Sequence, residues 1–76
     1  MATTGTRAAP VNEPFKYVVV GSVHYVEPHE DPIINVHRAL LMLRFLPGGT
    51  EIQLADGGMW ATLVAEHPAQ EYAPPR

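Results

Sequence analysis

Ile33 to Leu46 is a nearly unbroken apolar run, IINVHRALLMLRFL, held between Asp31-Pro32 and Pro47-Gly48-Gly49. Its only polar residues are Asn35, His37, Arg38 and Arg44, and helical spacing does not gather them on one side. At about 100° per residue, Asn35 and Arg38 fall near one azimuth while His37 and Arg44 fall roughly opposite. A surface helix needs one apolar stripe, whereas this segment carries apolar surface on two flanks separated by basic seams. A domain this small has one core, so the second flank is expected to belong to a contact with another chain.

The boundaries of the run support a helix over 32–46. Asp31 can accept from free N–H groups as N-cap, Pro32 fits the first helical position, and Ala39 to Arg44 are strong helix formers. Pro47-Gly48-Gly49 ends the element. The rival reading, a strand from Ala39 to Leu46 turning at the same glycines, is less favoured by this composition. Val36, Leu40 and Leu43 are expected to form the core stripe. Leu41 and Phe45, about 100° away and four residues apart, then form a ridge suited to a neighbouring helix. Arg38 and Arg44 accompany that ridge as partner-binding candidates.

Upstream, Lys16 to Val26 (KYVVVGSVHYV) is rich in β-branched and aromatic residues and reads as one strand over 16–26. Gly21 in its middle hints at a bulge or a close backbone approach. Downstream, 50–55 (TEIQLA) alternates, Asp56-Gly57-Gly58 reads as a hairpin turn, and 59–65 (MWATLVA) reads as the returning strand. A two-residue loop would place Trp60 on the polar face. A three-residue loop pairs it with Leu54 on the apolar face and makes the better core. The expected fold is therefore α+β: a single β-α-β-β domain over 15–66 with a C-terminal β-hairpin. Extended arms flank it, 1–14 and a proline-rich tail over 67–76. The arms are either disordered or ordered by a partner. In the second case Tyr72, followed by Pro74-Pro75, is the anchor, because an aromatic beside a preformed extended segment binds at low ordering cost.

Composition narrows the function classes. The chain has 76 residues and no cysteine, so disulfides and thiolate–metal sites are excluded. Below roughly 70–80 residues a single core rarely supplies more than about 3–5 kcal/mol, and oligomerisation or docking is the common remedy left. The net charge is −3, and the five basic residues, Arg7, Lys16, Arg38, Arg44 and Arg76, are scattered. Nucleic-acid binding, which needs a clustered basic face, is not expected. MATTGTRAAP has no apolar core of a signal peptide, and no stretch reaches the ~20 apolar residues of a membrane span. A soluble protein of the cytoplasm, or of a particle assembled inside the cell, is the expectation.

Chemistry-bearing residues are few. Ser22, the sole serine, lies within the expected strand and Gly-Ser-Val-His is not a nucleophile elbow. A core of this size does not readily enclose a ligand cavity of about 300–1,000 Å³. A lone enzyme is therefore not expected, though an accessory subunit of an enzyme complex remains compatible. No cofactor is expected. His24, Glu27, His29 and Glu30 form the one polar cluster and have ligand types that suit zinc, iron or manganese. Their spacing matches no standard ligand pattern. The reading is a non-enzymatic interaction or assembly subunit: an accessory chain of a larger complex, or a small homo-oligomeric shell or virion component. A metal- or ligand-binding regulatory domain using the His24–Asp31 turn is the alternative. One local resemblance runs through 41–54: LMLRFLPGGTEIQL resembles the L-x-P-G junction of the small SH3-like accessory domains of ferrous-iron transport. Those domains close their barrel with a strand that has no counterpart after Val64, so the chain is not assigned to them.

Overall fold

One glycine turn and two connecting helices organise the sheet. The computed structural model describes residues 13–74; of the expected 1–14 arm, all but Glu13 and Pro14 lies outside the described residues. Strand β1 (Phe15–Val20) and strand β2 (Val23–Val26) are antiparallel, with Tyr17 opposite Val26 and Val20 opposite Val23. Helix α1 (Pro32–Phe45) then leads to β3 (Glu51–Leu54), which lies parallel to β2 with Val26 beside Leu54. Helix α2 (Gly57–Glu66) leads to β4 (Gln70–Tyr72), antiparallel to β1 with Phe15 opposite Tyr72. The sheet order is β3-β2-β1-β4. The fold is the expected α+β single domain, a four-stranded mixed sheet with two helices.

The expected 16–26 strand is in fact a hairpin. Gly21 and Ser22 form its loop, and Gly21 has φ +62° while no non-glycine described residue has positive φ. Positive φ at the first loop residue alone is the pattern of a type II′ turn, whose twist matches the strands it joins. Gly21 therefore marks a chain reversal, not a bulge.

The C-terminal hairpin is also corrected: 59–65 is helical. Asp56 extends its Oδ1 to the Met59 N–H at 2.7 Å, so Asp-Gly-Gly serves as a helix N-terminus where a hairpin turn was expected. Met59, Ala61, Leu63 and Ala65 favour a helix over a strand. Topology asks for one as well. β3 and β4 are opposite edges of the sheet, about 14 Å apart at ~4.8 Å per strand spacing, and the ten residues of α2 rise about 15 Å. Trp60 consequently belongs to a helix, half-buried in line with Leu63 and His67. No residue of α2 is fully buried. The domain also runs past its expected limit at 66, since 70–72 of the tail completes the sheet.

The core lies between the sheet and α1. Phe15, Tyr17, Val26 and Met42 form its centre, with Val19, Leu41, Leu46, Ile52 and Tyr72 packed around them. Val18 points to the opposite face of the sheet and is fully buried too, so the middle of β1 is shut off from solvent on both sides. The expected core stripe of α1 is inverted. Ile34, Arg38 and Met42, spaced four apart, face inward, whereas Val36, Leu40 and Leu43 are each more than half exposed.

Candidate functional site

Three polar attachments set the rotation of α1. Asp31 caps it, accepting the Ile33 N–H at 2.9 Å. One turn later Asn35 grips the preceding loop with both ends of its amide: Oδ1 accepts the His29 N–H at 2.7 Å and Nδ2 donates to the His29 carbonyl at 2.8 Å. Arg38 follows on the same side. It is 6% exposed, lies over the Phe15 ring at 5.2 Å, donates to the Glu27 carbonyl at 3.0 Å, and sits 3.9 Å from the Glu27 carboxylate. A buried guanidinium needs such partners, because desolvating an unpaired charge costs several kcal/mol. Its Nε remains without a partner among the described residues.

With Asn35, Arg38 and Met42 turned inward, the opposite side of α1 is left in water. Ile33, Val36, Leu40 and Leu43 run along it at spacings of three, four and three. That is the a/d pattern of a helix that packs lengthwise on another helix. Pro32, Ile33, Val36, His37 and Leu40 line an open groove of about 410 Å³ on this face. At ~100° per residue, His37 and Arg44 fall along one flank of the stripe, and Pro32 and Ala39 along the other. α1 contains no acidic residue.

The residues expected to bind a partner are dispersed. Leu41 packs on the core, and Arg38 is buried in it. Tyr72 is held in the sheet, its ring 5.1 Å from that of Phe15 and 5.1 Å from that of Phe45. Phe45 is exposed on its other side, Pro74 is half-buried, and Pro75 lies outside the described residues. Arg44 alone among them stands exposed beside the outward stripe. From the sequence Val36, Leu40 and Leu43 of this stripe are expected in the core; the unbroken three-four-three spacing that begins at Ile33 is the signal that joins all four on one face.

The polar turn is occupied with holding itself together. The Glu27 carboxylate accepts the Lys16 N–H at 3.0 Å, and His29 Nδ1 accepts the Asp31 N–H at 2.9 Å. His24 is elsewhere, on the sheet, stacked on Tyr17 at 5.9 Å, with its Nδ1 buried and unpartnered among the described residues. Glu30 is exposed. The fold does not gather His24, Glu27, His29 and Glu30, and among the described residues no three His, Cys, Asp or Glu side chains are placed to hold an ion. No described helix is long and apolar enough to cross a membrane. Comparison with protein-family models, with curated proteins and with solved structures finds no match in any of the three.

Proposed function

We propose that this chain is a non-enzymatic interaction or assembly subunit, an accessory chain of a larger complex or a small homo-oligomeric shell or virion component, and that the outward face of α1 is what its assembly covers. The observation that carries the reading is the exposed Ile33–Val36–Leu40–Leu43 stripe on a helix whose other side is fully engaged. Contiguous exposed apolar surface with regular spacing is a mark of recognition, whereas isolated exposed leucines are ordinary. Removing the wetted part of each side chain from water is worth about 1 kcal/mol apiece at ~25 cal/mol per Å².

The chain has no cysteine, so one introduced thiol is a unique reporter. Val36→Cys places it on the face; Gly48→Cys places a control in the loop after α1, where an added side chain meets nothing within 4 Å. In freshly opened cells producing the protein, the thiol at position 36 is expected to react with a maleimide at least tenfold more slowly than the one at 48. The two rates should converge for the purified chain if it is an accessory chain of a larger complex, and stay apart if purified copies assemble with one another. Equal rates in the opened cells would refute the reading.

A further inference from the structure

The charges at the two ends of α1 point to its occupant. Resting on the reading above, we infer that the outward face of α1 is covered by a second copy of this chain, the two helices lying antiparallel across a two-fold axis. In that arrangement the apolar stripe is its own complement. Turned end for end about its middle, Ile33 meets Leu43 of the second copy and Val36 meets Leu40. Each contact occurs twice, because a two-fold interface pairs one patch with itself. Ala39 meets its own copy beside the axis, and its small side chain lets the two backbones approach closely. A small chain without cysteine commonly reinforces its core by such oligomerisation.

The end charges select both the direction and the partner. Glu30 and Arg44 stand seven residues before and after His37, which puts them at opposite ends of one flank of the stripe. Both are exposed, and among the described residues neither has an ion-pair partner in its own chain. Antiparallel pairing brings Glu30 to within about 3 Å of the level of Arg44 of the second copy along the axis, so an acid–base pair forms at each end. Parallel pairing would set Glu30 against Glu30 and Arg44 against Arg44, where like charges repel. A foreign helix would have to carry a base opposite Glu30, an acid opposite Arg44 and the three-four repeat between them; this chain already does. The 14 residues of α1 span about 21 Å. A contact of that length lies toward the small end of specific interfaces, below ~1,200 Å² in total, which suits a dimer that separates on dilution.

Sedimentation equilibrium of the full chain at low salt is expected to show a dimer at about 100 µM that dissociates at around 1 µM and below. Arg44→Glu and Glu30→Arg each oppose like charges twice per dimer, and each should weaken it about tenfold with circular dichroism unchanged. The two together exchange the charges, and the double variant should regain the original dissociation constant within about threefold. Thiols read the direction. A mixture of Ile33→Cys and Leu43→Cys chains should form the disulfide between 33 and 43 on oxidation, while Ile33→Cys alone does not cross-link, its two copies standing about 15 Å apart along the axis. A monomer at every concentration, single reversals without effect, a double variant that stays weak, or cross-linking of Ile33→Cys alone overturns the inference. Each of those results leaves the covered-face reading standing, because that rests on protection of position 36 in opened cells.

Discussion

Truncating Met42 and Leu40 separately weighs the two sides of α1 against each other. Met42 is fully buried among Phe15, Tyr17 and Val26, so Met42→Ala removes contacts on every side and leaves a cavity. Such truncations cost about 2–5 kcal/mol. Leu40 is more than half exposed, and alanine is the better helix former, so Leu40→Ala is expected to change stability by no more than about 0.5 kcal/mol. A domain of this size holds roughly 3–9 kcal/mol, so Met42→Ala uses up a large share of it. Urea titration followed both by far-ultraviolet circular dichroism and by the fluorescence of Trp60, the sole tryptophan, measures the two changes. With an m-value near ~1 kcal/mol per molar urea, the midpoint of Met42→Ala should fall by about 2 M or more, while that of Leu40→Ala hardly moves. A Leu40→Ala midpoint that drops as far as that of Met42→Ala would mean that α1 is rotated the other way, and both functional inferences would go with it.

Asn35→Ala breaks both amide bonds to His29 and is expected to cost about 2–3 kcal/mol, lowering the thermal midpoint by roughly 10 °C or more, with Asn35→Asp intermediate because it keeps the acceptor. Gly21→Ala meets no steric obstacle, yet its φ of +62° is unfavourable for a residue with a Cβ, so a loss of about 1 kcal/mol is expected in the same melt; an unchanged midpoint would exclude the turn assigned here. Tyr72→Ala should destabilise the domain itself, since each ring contact with Phe15 and Phe45 is worth about 0.5–1.5 kcal/mol. Undiminished stability together with impaired assembly would return Tyr72 to the role of a docking anchor.

The helix boundaries were legible because they are written locally. Asp31-Pro32 and Pro47 place α1 within a residue of its observed end at Phe45, and the alternation of Glu51 to Leu54 places β3. The rotation of α1 was not legible. Its residues are apolar on two flanks, so periodicity offers two cores, and the choice falls to Asn35 with His29 and to Arg38 with Phe15 and Glu27. Those partners lie in other elements, and the polar residues that looked like interruptions of the apolar surface are what point it outward. α2 is hidden in the sequence for a different reason. Asp-Gly-Gly fits a hairpin and a helix N-terminus equally, and only the need to carry the chain from β3 to β4 separates them. Tyr72, followed by Pro74-Pro75, reads in the sequence as a docking anchor, whereas its ring fits between Phe15 and Phe45 of its own chain.

The pairing of β4 with β1 has a mechanical consequence. Phe15 and Tyr72 face each other across adjacent antiparallel strands, so the chain enters and leaves the domain at neighbouring points. Tension applied across these two points peels the strands apart pair by pair, and only three pairs hold them. Strands loaded in this way open at lower force than strands sheared along their length, because the bonds fail one after another instead of together. The domain thus yields early when pulled from both of these points. Release would begin at β4, with Tyr72 leaving Phe15 and Phe45 before the hairpin or α1 is disturbed.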